Sequence, residues 1–157
     1  ADEDAEYADE IVLDLSEIEP LIAKPSMPDN VVPVREAAGE TVDQVIVGSC
    51  TNGGYEDILP AAKMVADREI NLTTEMIVAP GSKQASELLA RQGWTAEMMA
   101  AGVNFSEATC GACIVIGHVP ASDSVSLQSE LRRSLWYRRR FRIPLLTGSC
   151  SSGSTKR

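Results

Sequence analysis

Apolar positions along the chain fall into short β-type runs that alternate with helical stripes. Val42 to Val47 contains Val45-Ile46-Val47, a compact β-branched run of the kind found in a buried parallel strand. It stops at Gly48-Ser49-Cys50-Thr51-Asn52-Gly53-Gly54, and a helix is expected from Tyr55 to about Ala66. Thr51 or Asn52 is placed to cap that helix, and Glu56 and Asp57 suit the positive end of its dipole. Pro60 must either fall in the first turn or kink the helix. The plan then repeats. Glu75-Met76-Ile77-Val78-Ala79 reads as a strand, Pro80-Gly81-Ser82 as a turn, and Lys83 to Gln92 as a helix with Ala85, Leu88 and Leu89 inward. A short helix from Thr95 to Ala101 leads through Gly102 into Val103-Asn104-Phe105. Earlier, Ile11-Val12-Leu13-Asp14-Leu15 reads as a short strand. Pro20, Pro25, Pro28 and Pro33 then predict an extended surface connection, because each removes a backbone donor.

Strands alternating with helices imply an α/β fold with a parallel sheet and right-handed crossovers. In such sheets ligands gather at the carboxyl ends of the strands. Cys50 lies at one such end, and Ala108-Thr109-Cys110-Gly111-Ala112-Cys113 follows another, so all three thiols can meet at one rim.

At 157 residues and 44% apolar content the chain supports one domain with a real core. Aromatics are only 4%, so aliphatic side chains and Ala must fill most of that core. A formal charge of −9 argues against a nucleic-acid surface over the chain as a whole. No apolar run approaches the roughly 18 residues needed to span a bilayer, which argues against a membrane protein. The acidic start is opposite in character to a signal or transit peptide, and four cysteines without such a signal point to a reducing, cytoplasmic compartment. The chain does not begin with Met and is expected to be a piece of a longer one.

A lone Cys plus a C-x-x-C pair is a thiolate set with no evident fourth member. The spacing leaves three readings open: an iron–sulfur cluster, a zinc site, or buried inert thiols. Three thiolates would leave one iron of a [4Fe–4S] cluster open as a Lewis acid, which is the arrangement for dehydration chemistry rather than electron transfer.

The sequence resembles the aconitase family of iron–sulfur hydro-lyases, specifically the cluster-bearing domain of the large chain. The resemblance rests on Asp14-Leu15-Ser16 with Glu19-Pro20, on Gly48-Ser49-Cys50-Thr51-Asn52 with Tyr55-Glu56-Asp57, on Pro80-Gly81-Ser82, and on Ala108-Thr109-Cys110-Gly111-Ala112-Cys113-Ile114. It covers about residues 10–127 in the family's order and approximate spacing. It implies a three-layer parallel-sheet domain in which Cys50, Cys110 and Cys113 bind three irons of a [4Fe–4S] cluster. It also implies reversible dehydration of a small hydroxy-di- or tricarboxylic acid, with the remaining domains of the parent enzyme as partners. Aconitase, homoaconitase and isopropylmalate isomerase substrates are all compatible. The family's catalytic Ser, Asp-His and Glu residues cannot be placed in this chain, so the catalytic residues are unknown and the isolated chain is expected to be inactive. The alternative from another class is a non-catalytic metal-binding module loaded with zinc.

Two departures from the family pattern stand out. Val115 occupies a position where the family usually has Gly. Further on, an N-R-N-F-x-G-R-type motif that binds substrate carboxylates is replaced by Leu127-Gln128-Ser129-Glu130-Leu131-Arg132-Arg133-Ser134-Leu135-Trp136. Back-translated as CTT CAA TCG GAA CTT CGC CGG TCG CTC TGG and read one base later, the same stretch gives F-N-R-N-F-A-G-R-S. A frameshift near Ser126 is therefore expected. It divides the chain into a mobile acidic lead-in (1–9), the aconitase-like domain (10–126) and an irregular, disordered, non-native tail (127–157).

The other candidates have plainer explanations. His118, the one histidine, is more often structural than a ligand in such a setting. Cys150 reads as an exposed tail thiol. Arg132, Arg133, Arg138, Arg139, Arg140 and Arg142, with Trp136 and Tyr137, resemble a nucleic-acid patch, which the frameshift makes accidental. Glu56 and Asp57 are accounted for by the helix start, and Lys83 and Gln84 suit either an anion or open solvent.

Overall fold

In a computed structural model, the structure describes residues 4, 6, 8–9, 11–25, 29–109, 111, 114 and 116–129, with the backbone of 137–138. Most of the expected lead-in and nearly all of the expected tail lie outside the described residues.

Two parallel strands form the centre. β3 (Gln44–Gly48) and β4 (Glu75–Ala79) pair in register from Gln44↔Glu75 to Gly48↔Ala79. β5 (Asn104–Phe105) adds in parallel beyond β4 and β6 (Val125–Gln128) in parallel beyond β3, while β7 (Tyr137–Arg138) pairs antiparallel with β6. The order is β5-β4-β3-β6-β7. Before this sheet, β1 (Leu21–Ala23) and β2 (Val31–Pro33) form a separate antiparallel hairpin, followed by a single 3-10 turn at Val34–Ala37.

The period-2 alternation of a strand sends neighbouring side chains to opposite faces, and both faces here are covered. Val47, Met76 and Val78 face α1 (Tyr55–Val65), α2 (Lys83–Arg91) and α3 (Trp94–Ala100), packing with Ile58, Leu89 and Met98. Ile46 and Ile77, 1% and 0% exposed, lie on the other face. The β3-to-β5 progression runs one way across the sheet and the step to β6 reverses it. A right-handed connection must then cross the face opposite the helices. His118 confirms this route. It bonds to Gln44 and Glu75, which share the face of Ile46 and Ile77 by strand register. The sheet is thus the middle of three layers: helices, sheet, and a largely irregular connection.

Several local expectations are corrected. Ile11-Val12-Leu13-Asp14-Leu15 is not a strand here; Ile11, Val12 and Leu13 are 83%, 81% and 72% exposed and nothing described pairs with them. The proline-rich connection contains the β1–β2 hairpin. Its prolines sit outside the ladder's donor positions, and Lys24 N–H donates to Asn30 O at 2.7 Å across the turn. Ile22 and Ala23 are buried beneath it. Leu88 is 40% exposed, because α2 presents only the i, i+4 pair Ala85 and Leu89 to the core. Pro60 lies past the first turn of α1, yet the helix continues. Pro60 itself is exposed, so the Glu56 carbonyl that loses its donor faces water.

Candidate functional site

Because β3, β4, β5 and β6 are parallel, their carboxyl ends share one edge. The strand order reverses between β3 and β6, and such a switch point at the carboxyl edge is where open parallel sheets commonly take their ligands. The Gly48-Ser49-Cys50-Thr51-Asn52 loop leaves β3 at this switch point.

This loop is held by backbone contacts that exclude side chains. Gly48 has φ +94°, and a Cβ there would lie 2.3 Å from Ala79 O. Ser49 follows at φ 102°, a left-handed conformation that costs a non-glycine residue about 1–3 kcal/mol. The surroundings impose it: Ser49 is 2% exposed, and its N–H donates to Ala79 O at 2.6 Å. Its hydroxyl accepts from Cys50 N–H at 2.6 Å. Gly53 then meets the loop after β4, its carbonyl accepting from Gly81 N–H at 2.8 Å. A Cβ on Gly53 would come within 2.3 Å of both Gly81 N and Ser49 O. From the β6 side, Ser129 donates its N–H to Ile46 O and accepts from Gly48 N–H through its hydroxyl at 3.0 Å. Its carbonyl accepts from the Asn52 side chain at 2.7 Å.

The start of α1 completes the loop. The cap is Gly54, not Thr51 or Asn52, and the Asp57 carboxylate accepts from Gly54 N–H at 3.0 Å. The Asn52 side chain donates to the Ser129 carbonyl instead. Glu56 and Asp57 therefore belong to the helix start, as their position suggests.

The outcome at the thiols is specific. Cys50 is exposed on the loop, with Sγ 3.7 Å from Thr51 Oγ1. Cys110 and Cys113 lie outside the described residues. What is described places the chain entering their segment at the same edge: Ser106 N–H donates to Val78 O at 2.9 Å, extending β5's register. Beyond, Gly111 O accepts from Ile114 N–H at 3.1 Å and Ile116 N–H at 3.0 Å, closing a tight turn. Among the described residues no three His, Cys, Asp or Glu side chains gather as a metal site. A cluster ligand at Cys50 fits what is present. The donor is a soft thiol on an exposed residue whose chain neighbours, Ser49 and Thr51, are small.

His118 sits at the opposite end of the sheet. Its Nδ1 is 3.2 Å from Glu75 Oε1, and its carbonyl accepts from Gln44 Nε2 at 3.2 Å. Gln44 Nε2 also donates to Glu75 Oε2 at 2.9 Å, and Gln44 Oε1 accepts from the buried Ser126 hydroxyl at 2.8 Å. This is a structural network pinning the β5–β6 connection. Lys83 and Gln84 are exposed, and Ser82 itself caps α2 by accepting from Ala85 N–H at 3.1 Å. Val115, Cys150 and the side chains of the arginine-rich stretch lie outside the described residues. The residues missed from sequence were Ser129, Gly81 and the crossing role of Asn52. The one available signal was the pairing of Gly53-Gly54 with a second glycine turn, Pro80-Gly81.

A parallel α/β domain with a cysteine loop at its topological switch point has the architecture in which ligands commonly sit at the carboxyl ends of the strands. Comparison with known proteins narrows the class. The family described as "Aconitase family (aconitate hydratase)" matches residues 36–133, which runs past Ser126 into the stretch expected to depart from it. The chain is 42% identical over 113 residues to "3-isopropylmalate dehydratase large subunit 1" of Methanopyrus kandleri, and likewise 42% over 113 residues to the "3-isopropylmalate dehydratase large subunit" of Picrophilus torridus. Each match takes in 72% of this chain and 27% of the relative. The corresponding protein of Nitratiruptor is 41% identical over 116 residues, 73% of this chain and 28% of its own. The chain belongs to the aconitase family. It spans little more than a quarter of the length of these relatives, and among its described residues no helix is long and apolar enough to cross a membrane.

Proposed function

We propose that this chain is the cluster-bearing part of an iron–sulfur hydro-lyase, with Cys50, Cys110 and Cys113 as thiolate ligands to a [4Fe–4S] cluster. The observation that carries the proposal is the placement of Cys50, exposed at the sheet's switch point on a loop locked from three sides. When bound, a cluster with three thiolate ligands supplies an open iron as a Lewis acid toward a substrate hydroxyl. The chain's own part is narrower. Gly48, Gly53 and Gly81 fix the loop backbone, Ser49 and Thr51 surround the thiol with small groups, and the β5–β6 connection carries the other two thiols from the same edge.

The names of the relatives support a hydroxy-dicarboxylic acid of the isopropylmalate type as substrate, and "large subunit" supports a partner chain beside the remaining domains of the polypeptide. Thiolate ligation fits a reducing, cytoplasmic setting. With only 27% of the relatives' length represented, the isolated chain lacks most of an active site and turns over no substrate.

The frameshift near Ser126 remains part of this proposal. Strand β6 takes in Leu127 and Gln128, because the exposed ladder of β3 accepts any backbone of suitable register. Position 129 then stands against the Cys50 loop, bonded to Gly48 and Asn52, and the shifted frame encodes Arg there. An in-frame product would thus place a guanidinium where a substrate carboxylate is needed. The coding DNA decides this: bases that do not read as F-N-R-N-F-A-G-R-S one position later rule it out.

Anaerobic reconstitution with iron and sulfide tests the main proposal. Four irons per chain, with one distinct in the Mössbauer spectrum, is the expected result; stoichiometric zinc with no cluster overturns it.

A further inference from the structure

More than half of the exposed large hydrophobic side chains among the described residues fall between positions 11 and 34. At their centre is a strand-like sequence without a sheet. Ile11, Val12, Leu13 and Leu15 are 83%, 81%, 72% and 77% exposed. Ile11, Val12 and Leu13 make no backbone hydrogen bond to any described residue. The segment ends firmly: Asp14 accepts from both the N–H and the hydroxyl of Ser16, and its carbonyl accepts from Glu17 N–H. That turn directs the chain toward β1, where Leu21 and Val31 lie on one outward face of the hairpin at 54% and 45% exposure.

We propose that Ile11–Leu15 is a β-strand of a second sheet, and that the rest of that sheet comes from the portion of the polypeptide that the relatives possess and this chain lacks. Three observations select this occupant. Ile11, Leu13 and Leu15 fall on one face of an extended run and Val12 with Asp14 on the other, so the strand requires cover along its apolar face as well as a ladder partner, which a small molecule cannot provide. Isolated strands have no stability of their own, so β-branched and aliphatic residues in this order are meaningful only with a sheet edge to join. The relatives extend far beyond the matched 27%, which leaves ample chain for a partner domain. Leu21 and Val31 add further exposed apolar side chains on the hairpin. The inference rests on reading the chain as part of a longer large subunit, but not on the cluster.

The test is hydrogen exchange on this chain alone and on a hybrid in which it replaces the matching stretch of a 42%-identical large subunit. In the isolated chain, amides 11–13 exchange at unprotected rates, independent of concentration. In the hybrid they slow by about 100-fold or more, as expected for a strand inside a sheet. Leu13→Asp abolishes that protection and leaves Gln44–Gly48 protected. Two results overturn the proposal: unprotected 11–13 amides in a hybrid whose Gln44–Gly48 strand is protected, or protection that appears in the isolated chain as its concentration rises, which assigns the strip to a second copy. If Gln44–Gly48 shows that the hybrid does not fold, the two pieces are co-expressed and captured through this chain. Capture then falls about tenfold or more with Ile11→Asp or Leu13→Asp, and capture indifferent to both substitutions overturns the proposal. Iron content of the same samples reports separately on the cluster.

Discussion

The two edges of the parallel sheet hold their shape by opposite means. At the amino edge, Gln44, Glu75, His118 and Ser126 bond to one another through side chains, and Gln44 uses both its amide nitrogen and its oxygen. At the carboxyl edge the shape rests largely on backbone, with Ser49 N–H on Ala79 O, Gly81 N–H on Gly53 O and glycines where a Cβ would collide, and the short side chains of Ser49, Asn52 and Ser129 each add a bond to a backbone group. The amino edge is a closed polar network whose groups satisfy one another, as a buried structural network must. The carboxyl edge achieves rigidity without committing bulky side chains, so the thiol of Cys50 is presented outward on a fixed loop. A fixed loop with an exposed soft donor is suited to chemistry; a closed network is suited to holding a crossover in place.

Substitutions at each edge should separate these roles. The largest effect on stability is expected at the carboxyl edge. Gly53→Ala puts a methyl group 2.3 Å from two backbone atoms that cannot swing away, and urea unfolding should show a loss of about 3 kcal/mol. Thiol labelling of Cys50 should change with it, since Ser49 and Gly81 must move. At the amino edge, Gln44→Ala leaves the buried Ser126 hydroxyl without its acceptor and should cost about 2 kcal/mol, while His118→Ala removes a half-buried partner and should cost about 1 kcal/mol. Neither should alter labelling of Cys50. An equal change from both edges would erase the distinction.

The smallest effect lies outside both edges. Hydrogen bonds from the Ser16 hydroxyl and then the Ser16 N–H hold the Asp14 carboxyl below its usual range. A depressed carboxyl favours the turn above the ordinary carboxylate range, and that preference disappears as pH falls through the lower value of the folded state. An NMR titration should show Asp14 titrating below a reference aspartate, and Ser16→Ala, which removes the hydroxyl but keeps the N–H, should return it part of the way, with core stability unchanged.

The elements that bury a regular stripe were legible in the sequence. Val45-Ile46-Val47 and Met76-Ile77-Val78 announce central strands because both of their faces are covered, and Ala85 with Leu89 marks the face of α2 that packs inward. The position of Gly48-Ser49-Cys50 at a strand's carboxyl end followed from the same pattern. Other features depend on partners distant in sequence and left no local trace. Four prolines concealed the β1–β2 hairpin, whose ladder avoids the missing donors. Asn52 looked like a cap, but its partner is the carbonyl of Ser129, reached only once β6 joins β3. Ile11–Leu15 has the composition of a strand, yet composition cannot say where its sheet is.

The central claim is that the carboxyl edge binds a cluster through Cys50. The most direct measurement is iron and sulfide content, with Mössbauer spectra, after anaerobic reconstitution of the unaltered chain and of Cys50→Ser and Cys150→Ser. Cys50 is exposed, so its replacement should leave folding within about 0.5 kcal/mol and allow a clean comparison. The account predicts a four-iron centre with one distinct iron in the unaltered chain and in Cys150→Ser, and its loss in Cys50→Ser. A cluster that survives Cys50→Ser, or depends on Cys150 instead, would contradict it.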